Sequence, residues 1–122
     1  MLNPNAQQWL YALRSGDYAQ GRGALYDRLT HTFCCLGVAC DLFTKENPTE
    51  GYWSGNDFIT AGGVSRSSLP LQVADWLGMK SCIASYGSSA DQNLINDNDT
   101  RHNTFAQIAD IIEAHQKELF ND

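Results

Sequence analysis

The segment at residues 34–43 constrains the fold more than any other part of the sequence. Its ten residues, CCLGVACDLF, contain one charged side chain, Asp41, and apolar residues surround most of a helix drawn through them. A helix that is apolar nearly all round lies at the centre of a domain rather than at its surface. We therefore expect a buried helix from about Cys34 to Lys45, capped by Thr32, against which the other elements pack.

Three further helices are predicted from caps and apolar spacing. The first follows an Asn3 cap and covers residues 4–15, with apolar residues at the intervals of one helical face. The second covers residues 70–77 and ends before a glycine. The third begins with a Thr-x-x-Gln capping box and is expected to run over residues 105–119.

Two short β-hairpins complete the prediction. Residues 52–60 place aromatic and β-branched residues on both sides of a Ser-Gly-Asn-Asp turn. A smaller strand pair is expected between residues 24–26 and 30–33. No internal repeat or linker divides the chain. The fold class expected is therefore α+β: one compact, mainly helical domain over residues 1–122, with about four helices and short β-hairpins.

The charge balance excludes several classes of partner. The 122 residues include 8 Lys and Arg against 14 Asp and Glu, which gives a net charge of −6. A nucleic-acid partner is not expected, since Lys and Arg supply most of the affinity for a phosphate backbone. No apolar run reaches the roughly 18–20 residues of a membrane span, so no membrane partner is expected. The first residues lack a signal-peptide pattern, which predicts a cytoplasmic location.

The four cysteines favour packing over metal binding. Cys35 and Cys40 form a C-x4-C pair, and neither a second cysteine pair nor a histidine pair follows it, so no metal or other cofactor is expected. Free cysteine packs in cores as a small hydrophobe. This is the leading interpretation of Cys34, Cys40 and Cys82.

Cys35 leaves one alternative open. A thiol in the first turn of a helix feels the positive end of the helix dipole, which favours the thiolate. The block at residues 33–38 resembles the aromatic-Asp-Cys-Ser-Gly-apolar block of papain-like cell-wall peptidases, although Cys34 and Leu36 replace the Asp and the Ser. The resemblance implies a cysteine hydrolase with Cys35 as nucleophile and His102 as base.

A second resemblance covers nearly the whole chain. The strings ALRSG at residues 12–16, QG at 20–21 and FCCLGVAC at 33–40 resemble a group of small uncharacterised bacteriophage proteins. The likeness continues through residues 69–78 and 105–113. It implies a phage origin, a single compact domain and a location in the host cytoplasm, and it carries no catalytic residues with it.

Binding is the function that the sequence favours. Aromatic and Arg side chains supply most binding hot spots, and Arg holds phosphate or carboxylate groups well. We expect a non-enzymatic accessory protein that binds a host protein or a small-molecule ligand, with its oligomeric state left open. The predicted binding residues are Tyr18, Arg22, Arg28, Trp53 and Phe58. For Trp53 and Phe58 an equal alternative is that they cap the core of the hairpin.

Overall fold

The computed structural model describes residues 2–121, which form a compact α+β fold with six helices and two small antiparallel sheets. None of the helices in this part of the chain is both long and apolar enough to cross a membrane. The helices are α1 (Pro4–Ser15), α2 (Cys35–Glu46), α3 (Leu71–Leu77), α4 (Leu94–Asp99), α5 (Phe105–Ala114) and α6 (Gln116–Leu119). The strands are β1 (Tyr26–Asp27), β2 (Thr32–Phe33), β3 (Gly51–Ser54), β4 (Asp57–Thr60) and β5 (Gly63–Ser65).

The predicted helix ends are largely confirmed. The Asn3 side chain caps α1 by accepting the Ala6 N–H at 2.8 Å, and Gly16 ends that helix in a left-handed conformation. The capping box at the start of α5 is present in both directions. The cap predicted for α2 is wrong: Cys34 occupies the N-cap position, and Thr32 belongs to β2.

Helix α2 lies at the centre of the core, as its apolar sequence predicts. Eight of its residues are buried, and α1, α3, α4 and the hairpins pack around it. The buried Trp9 side chain donates its indole N–H to the carbonyl of Cys35 at 2.9 Å, which fixes α1 against the first turn of α2.

A close backbone contact fixes α2 against the first hairpin. The buried residue Leu25 accepts the Cys34 N–H at 3.2 Å and donates its own N–H to the carbonyl of Arg66 at 2.6 Å. A Cβ atom placed on Gly37 would lie 1.7 Å from the carbonyl oxygen of Leu25. Only glycine therefore allows this approach of α2 to the chain that precedes β1.

Both predicted hairpins are present, and a third strand extends the larger one. β1 pairs with β2, and β3 pairs with β4 so that Trp53 stands opposite Phe58 and Tyr52 opposite Ile59. β5, which the sequence analysis did not predict, adds to the free edge of β4. Adjacent residues of a strand point to opposite faces, so Trp53 and Phe58 share the inner face while Tyr52 points outward.

The C-terminal half differs from the prediction in two places. α4 was not predicted because its sequence, LINDND, is polar, yet Asp97 and Asn98 are buried there. Asp97 accepts hydrogen bonds from Tyr86 Oη and Arg101 Nη1, which satisfies its carboxylate inside the core. The last predicted helix is divided at His115, beyond which α6 carries the buried Leu119 back to the core.

Replacing Gly37 with alanine tests the contact between α2 and Leu25. The new methyl group would overlap a backbone oxygen that is held by hydrogen bonds, so we expect Gly37→Ala to lower the free energy of unfolding by roughly 3 kcal/mol. Urea denaturation followed by circular dichroism measures this. Gly62→Ala is the control, because the closest atom to a Cβ there belongs to the flexible Gln72 amide, at 3.2 Å. Equal stability of the two variants would contradict the close contact.

Candidate binding site

The tips of the two hairpins are joined to each other. The backbone N–H of Arg28, in the β1–β2 turn, donates to Oδ1 of Asn56, in the β3–β4 turn, at 2.8 Å. Asp27 stabilises the first turn by accepting the Leu29 N–H at 3.0 Å, and Gly55 gives the second turn its left-handed residue, with φ of 62°. The hydrogen bond from Arg28 to Asn56 therefore joins the two turns.

A cleft of about 550 Å³ lies between these tips, and we call it the hairpin cleft. Its lining includes Gly23, Arg28, Ser54, Asn56, Asp57 and Arg66. The Arg66 guanidinium donates to both carboxylate oxygens of Asp57, at 2.5 and 3.4 Å, and this pairing raises the pKa of Arg66 above its ordinary value. Within residues 2–121 the Arg28 guanidinium makes no hydrogen bond and no ion pair.

Behind the cleft lies a layer of aromatic rings. Tyr26 packs against Phe33 and Trp53 with ring centroids 4.6 and 5.2 Å apart, and Trp53 packs edge-on against Phe58 at 4.8 Å. Phe58 is fully buried, with 0% of its surface exposed. Its predicted place on the contact surface is therefore corrected: it supports Trp53 from the core, because the inner face of β4 is covered.

Three side chains contact the Asp41 carboxylate at the other end of this layer. It accepts hydrogen bonds from Tyr18 Oη at 2.7 Å and from Trp53 Nε1 at 3.1 Å, and it pairs with Lys45 Nζ at 3.2 Å. The hydrogen bond from Lys45 to Tyr18 and its pairing with Asp41 raise the pKa of the lysine. A groove of about 380 Å³ between α1 and α2 opens beside this cluster, with Tyr11 exposed at its rim.

The five predicted binding residues are thus only partly brought together. Tyr18 and Trp53 meet at Asp41, and Arg28 lies in the hairpin cleft. Arg22 lies apart, since its Nε donates to the carbonyl of Asn98 in α4 at 3.1 Å and ties the loop before β1 to that helix.

Three residues that shape this region were missed by the sequence analysis. Asp41 was considered only as part of the apolar block and Asn56 only as a turn residue, and Arg66 was not considered. The turn pattern around Asn56 was the one signal available, and it did not show that a second turn would meet it.

The environment of Cys35 is the opposite of what the hydrolase hypothesis requires. The residue has no exposed surface, and burial raises the pKa of its thiol well above the ordinary value. Its Sγ donates to the carbonyl of Leu94 at 3.6 Å. His102 lies exposed on the loop between α4 and α5. A thiol closed off from solvent and kept protonated cannot attack a substrate, which argues against Cys35 as nucleophile and His102 as base.

The other cysteines also act as core residues. Cys34 and Cys40 are buried, and burial raises the pKa of Cys34 to about 11. Cys82 is half-buried. No group of three or more His, Cys, Asp and Glu side chains that could hold a metal ion occurs among residues 2–121.

Removing the Asp41 carboxylate tests its structural role. Asp41→Ala leaves the Tyr18 hydroxyl and the Trp53 indole N–H without their acceptor and removes the ion pair of Lys45, so we expect a loss of about 2 kcal/mol in the free energy of unfolding. Urea denaturation measures it. Asp17→Ala, which removes an exposed acid from the same groove, should change stability by less than about 0.5 kcal/mol. A loss no larger than that of the control would show that the cluster is dispensable.

Thiol labelling tests the burial of the cysteines. With iodoacetamide at neutral pH, the native protein should be alkylated first at Cys82, while Cys35 and Cys40 react only after unfolding, because burial both shields them and keeps them protonated. Peptide mass spectrometry with and without urea measures the order. Rapid labelling of native Cys35 would restore the nucleophile hypothesis.

Comparison with known proteins assigns the chain to one family. No curated protein and no solved structure matches the chain. One family model matches residues 1–116, and its description is a domain of unknown function, DUF8296. Because this match covers nearly the whole sequence, the chain belongs to the DUF8296 family.

Proposed function

We propose that the chain is a non-enzymatic, phage-encoded accessory protein that binds a host protein or a small molecule through the hairpin cleft. The observation that carries the proposal is the state of Arg28. Its backbone is fixed by Asn56, whereas its guanidinium has no partner within residues 2–121. A charged side chain whose backbone is held while its guanidinium has no partner is available to a ligand.

The construction of the cleft supports the same proposal. The two hairpin turns that contribute to its walls are joined by the hydrogen bond between Arg28 and Asn56, so the backbone of the cleft is in place before a ligand enters. The volume of about 550 Å³ falls in the range of ordinary ligand sites. The lining side chains, Arg, Asn, Ser and Asp, hold ligands by hydrogen bonds and charge.

The aromatic layer supports this site from behind. Trp53 is held by its hydrogen bond to Asp41 and by the rings of Tyr26 and Phe58, so the strand that leads into Ser54 is rigidly placed. We therefore assign Tyr18 and Trp53 to the support of the cleft and Arg28 to direct contact. The phage origin rests on the resemblance given above, and the host cytoplasm is the location that it implies.

Site-specific photocrosslinking tests the binding function. A photoreactive amino acid at Leu29, which is 83% exposed at the β1–β2 tip, should capture a host protein, or native mass spectrometry should show a bound small molecule, when the chain is expressed in bacteria. Arg28→Ala should reduce the adduct or the bound species about tenfold, as expected for one Arg hot spot.

The control places the same photoreactive residue at Leu71, which is 64% exposed at the start of α3 and lies outside the cleft lining. An adduct that depends on Leu29 and Arg28 supports the proposal. If the Leu29 and Leu71 probes give the same adducts, or if Arg28→Ala changes neither the adduct nor the bound species, the cleft is not the binding site.

A further inference from the structure

We propose that the hairpin cleft is an oxyanion site, which receives a singly charged phosphate or carboxylate group of the ligand between Arg28 and Arg66. The inference rests on the proposed function, because it names the ligand chemistry of the same cleft. It is carried by a comparison of the donors and acceptors that the cleft presents, each of which can be assigned from the hydrogen bonds in the structure.

Arg28 supplies the largest number of available donors. A guanidinium carries five N–H groups, and none of those on Arg28 is used within residues 2–121. Arg66 directs Nε and Nη2 at Asp57, so one N–H of that Nη2 and both of Nη1 stay available.

Asn56 adds two donors whose orientation is fixed. Its Oδ1 must face the Arg28 backbone N–H, because only the oxygen of the amide can accept that hydrogen bond. The Nδ2 group is therefore directed the other way, and within residues 2–121 it donates no hydrogen bond. The Arg28 backbone N–H thus distinguishes the oxygen of this amide from its nitrogen.

Side-chain acceptors are fewer: besides Asp57 they are the Oδ1 of Asn56, which is already engaged by the Arg28 N–H, and the hydroxyl of Ser54, which both donates and accepts. The Asp57 carboxylate is the one acidic group that lines the cleft among the described residues, and both of its oxygens face Arg66. A site with about ten free N–H donors and an occupied carboxylate matches a ligand group that only accepts, and oxyanions are the strongest acceptors of this kind.

The charge of the cleft sets the charge of the ligand group. Arg28 and Arg66 contribute two positive charges and Asp57 one negative charge, so the lining carries +1 within a protein whose net charge is −6. The lining neutralises one negative charge on the ligand, while each additional negative charge on the ligand is repelled by the acidic remainder of the protein. A carboxylate or a phosphodiester fits this balance better than a polyphosphate.

The rim leaves room for the rest of the ligand. Gly23 and Gly55 both stand at the cleft with positive φ, and no atom lies within 4 Å of the position where a Cβ would be. The cleft is also much larger than a single phosphate or carboxylate group. The oxyanion therefore marks one end of a larger ligand.

Nuclear magnetic resonance of the full chain tests the assignment. Dimethyl phosphate and acetate, which each carry one negative charge at neutral pH, are titrated separately, at constant ionic strength held with sodium chloride, while the Nε–H signals of Arg28 and Arg66 and the Nδ2 signals of Asn56 are followed. Saturable shifts of these signals are expected with at least one of the two anions. A response to dimethyl phosphate alone assigns a phosphodiester group, a response to acetate alone a carboxylate, and both responses support the oxyanion site.

Three variants define specificity. Arg28→Gln should weaken anion binding about tenfold, the loss of one charged hydrogen-bonding group. Arg28→Lys should recover only part of it, because it keeps the charge and loses the planar fork. Arg14→Gln removes the same charge outside the cleft, where Arg14 pairs with Asp110 and Glu113, and should change affinity less than about twofold.

Two results would overturn the assignment. One is the absence of saturable shifts with either anion; the other is an equal loss of affinity in Arg14→Gln and Arg28→Gln, which would indicate an unspecific response to charge. If the anions fail while the Leu29 probe still captures a partner that depends on Arg28, the oxyanion assignment falls and the binding function stands. If the probe fails as well, both fall.

Discussion

The approach of helix α2 to Leu25 is the contact on which the rest of the structure depends. Gly37 lets the helix pass so close that no side chain fits between it and the Leu25 carbonyl. The backbone of Leu25 also accepts the Cys34 N–H at the start of α2 and donates its own N–H to the Arg66 carbonyl just after β5. Leu25 thus links the central helix to both hairpins. It also lies close to both arginines of the cleft: Arg28 follows it by three residues, and Arg66 is its hydrogen-bond partner.

The cysteine-rich block shows how burial decides between two opposing effects. The positive end of a helix stabilises a thiolate by about 0.3–1 kcal/mol, less than one pKa unit. Full burial raises the pKa of an acidic group such as a thiol by up to ~5 units, because the charged form loses its hydration. Cys35 stands at the first position of α2 and has no exposed surface, so desolvation dominates and the thiol stays protonated. A cysteine at the start of a helix suggests a reactive thiol, whereas the packing around Cys35 makes its thiol unreactive.

The distribution of charge gives the hairpin cleft its character. Some basic side chains are paired with exposed acids on neighbouring elements, as Arg14 is with Asp110 and Glu113. Exposed pairs of this kind add little stability, about 0–1 kcal/mol each, but they leave those cations occupied. Arg28 differs because its backbone is fixed while its guanidinium is not engaged. In a protein of net charge −6, an Arg guanidinium without an acidic partner in a cleft favours an anionic ligand there.

The sequence alone determined the elements whose signals are local. Apolar spacing and caps placed α1, α3 and α5, the all-round apolar block placed α2 at the centre, and turn residues placed both hairpins. Tertiary structure decided what depends on distant partners. α4 forms around buried polar side chains satisfied from elsewhere in the chain, and the alternation of β4 could not show that the face bearing Phe58 is the covered one. The cleft, too, depends on distant contacts, since two turns 28 residues apart meet through Arg28 and Asn56, and no local pattern encodes that contact.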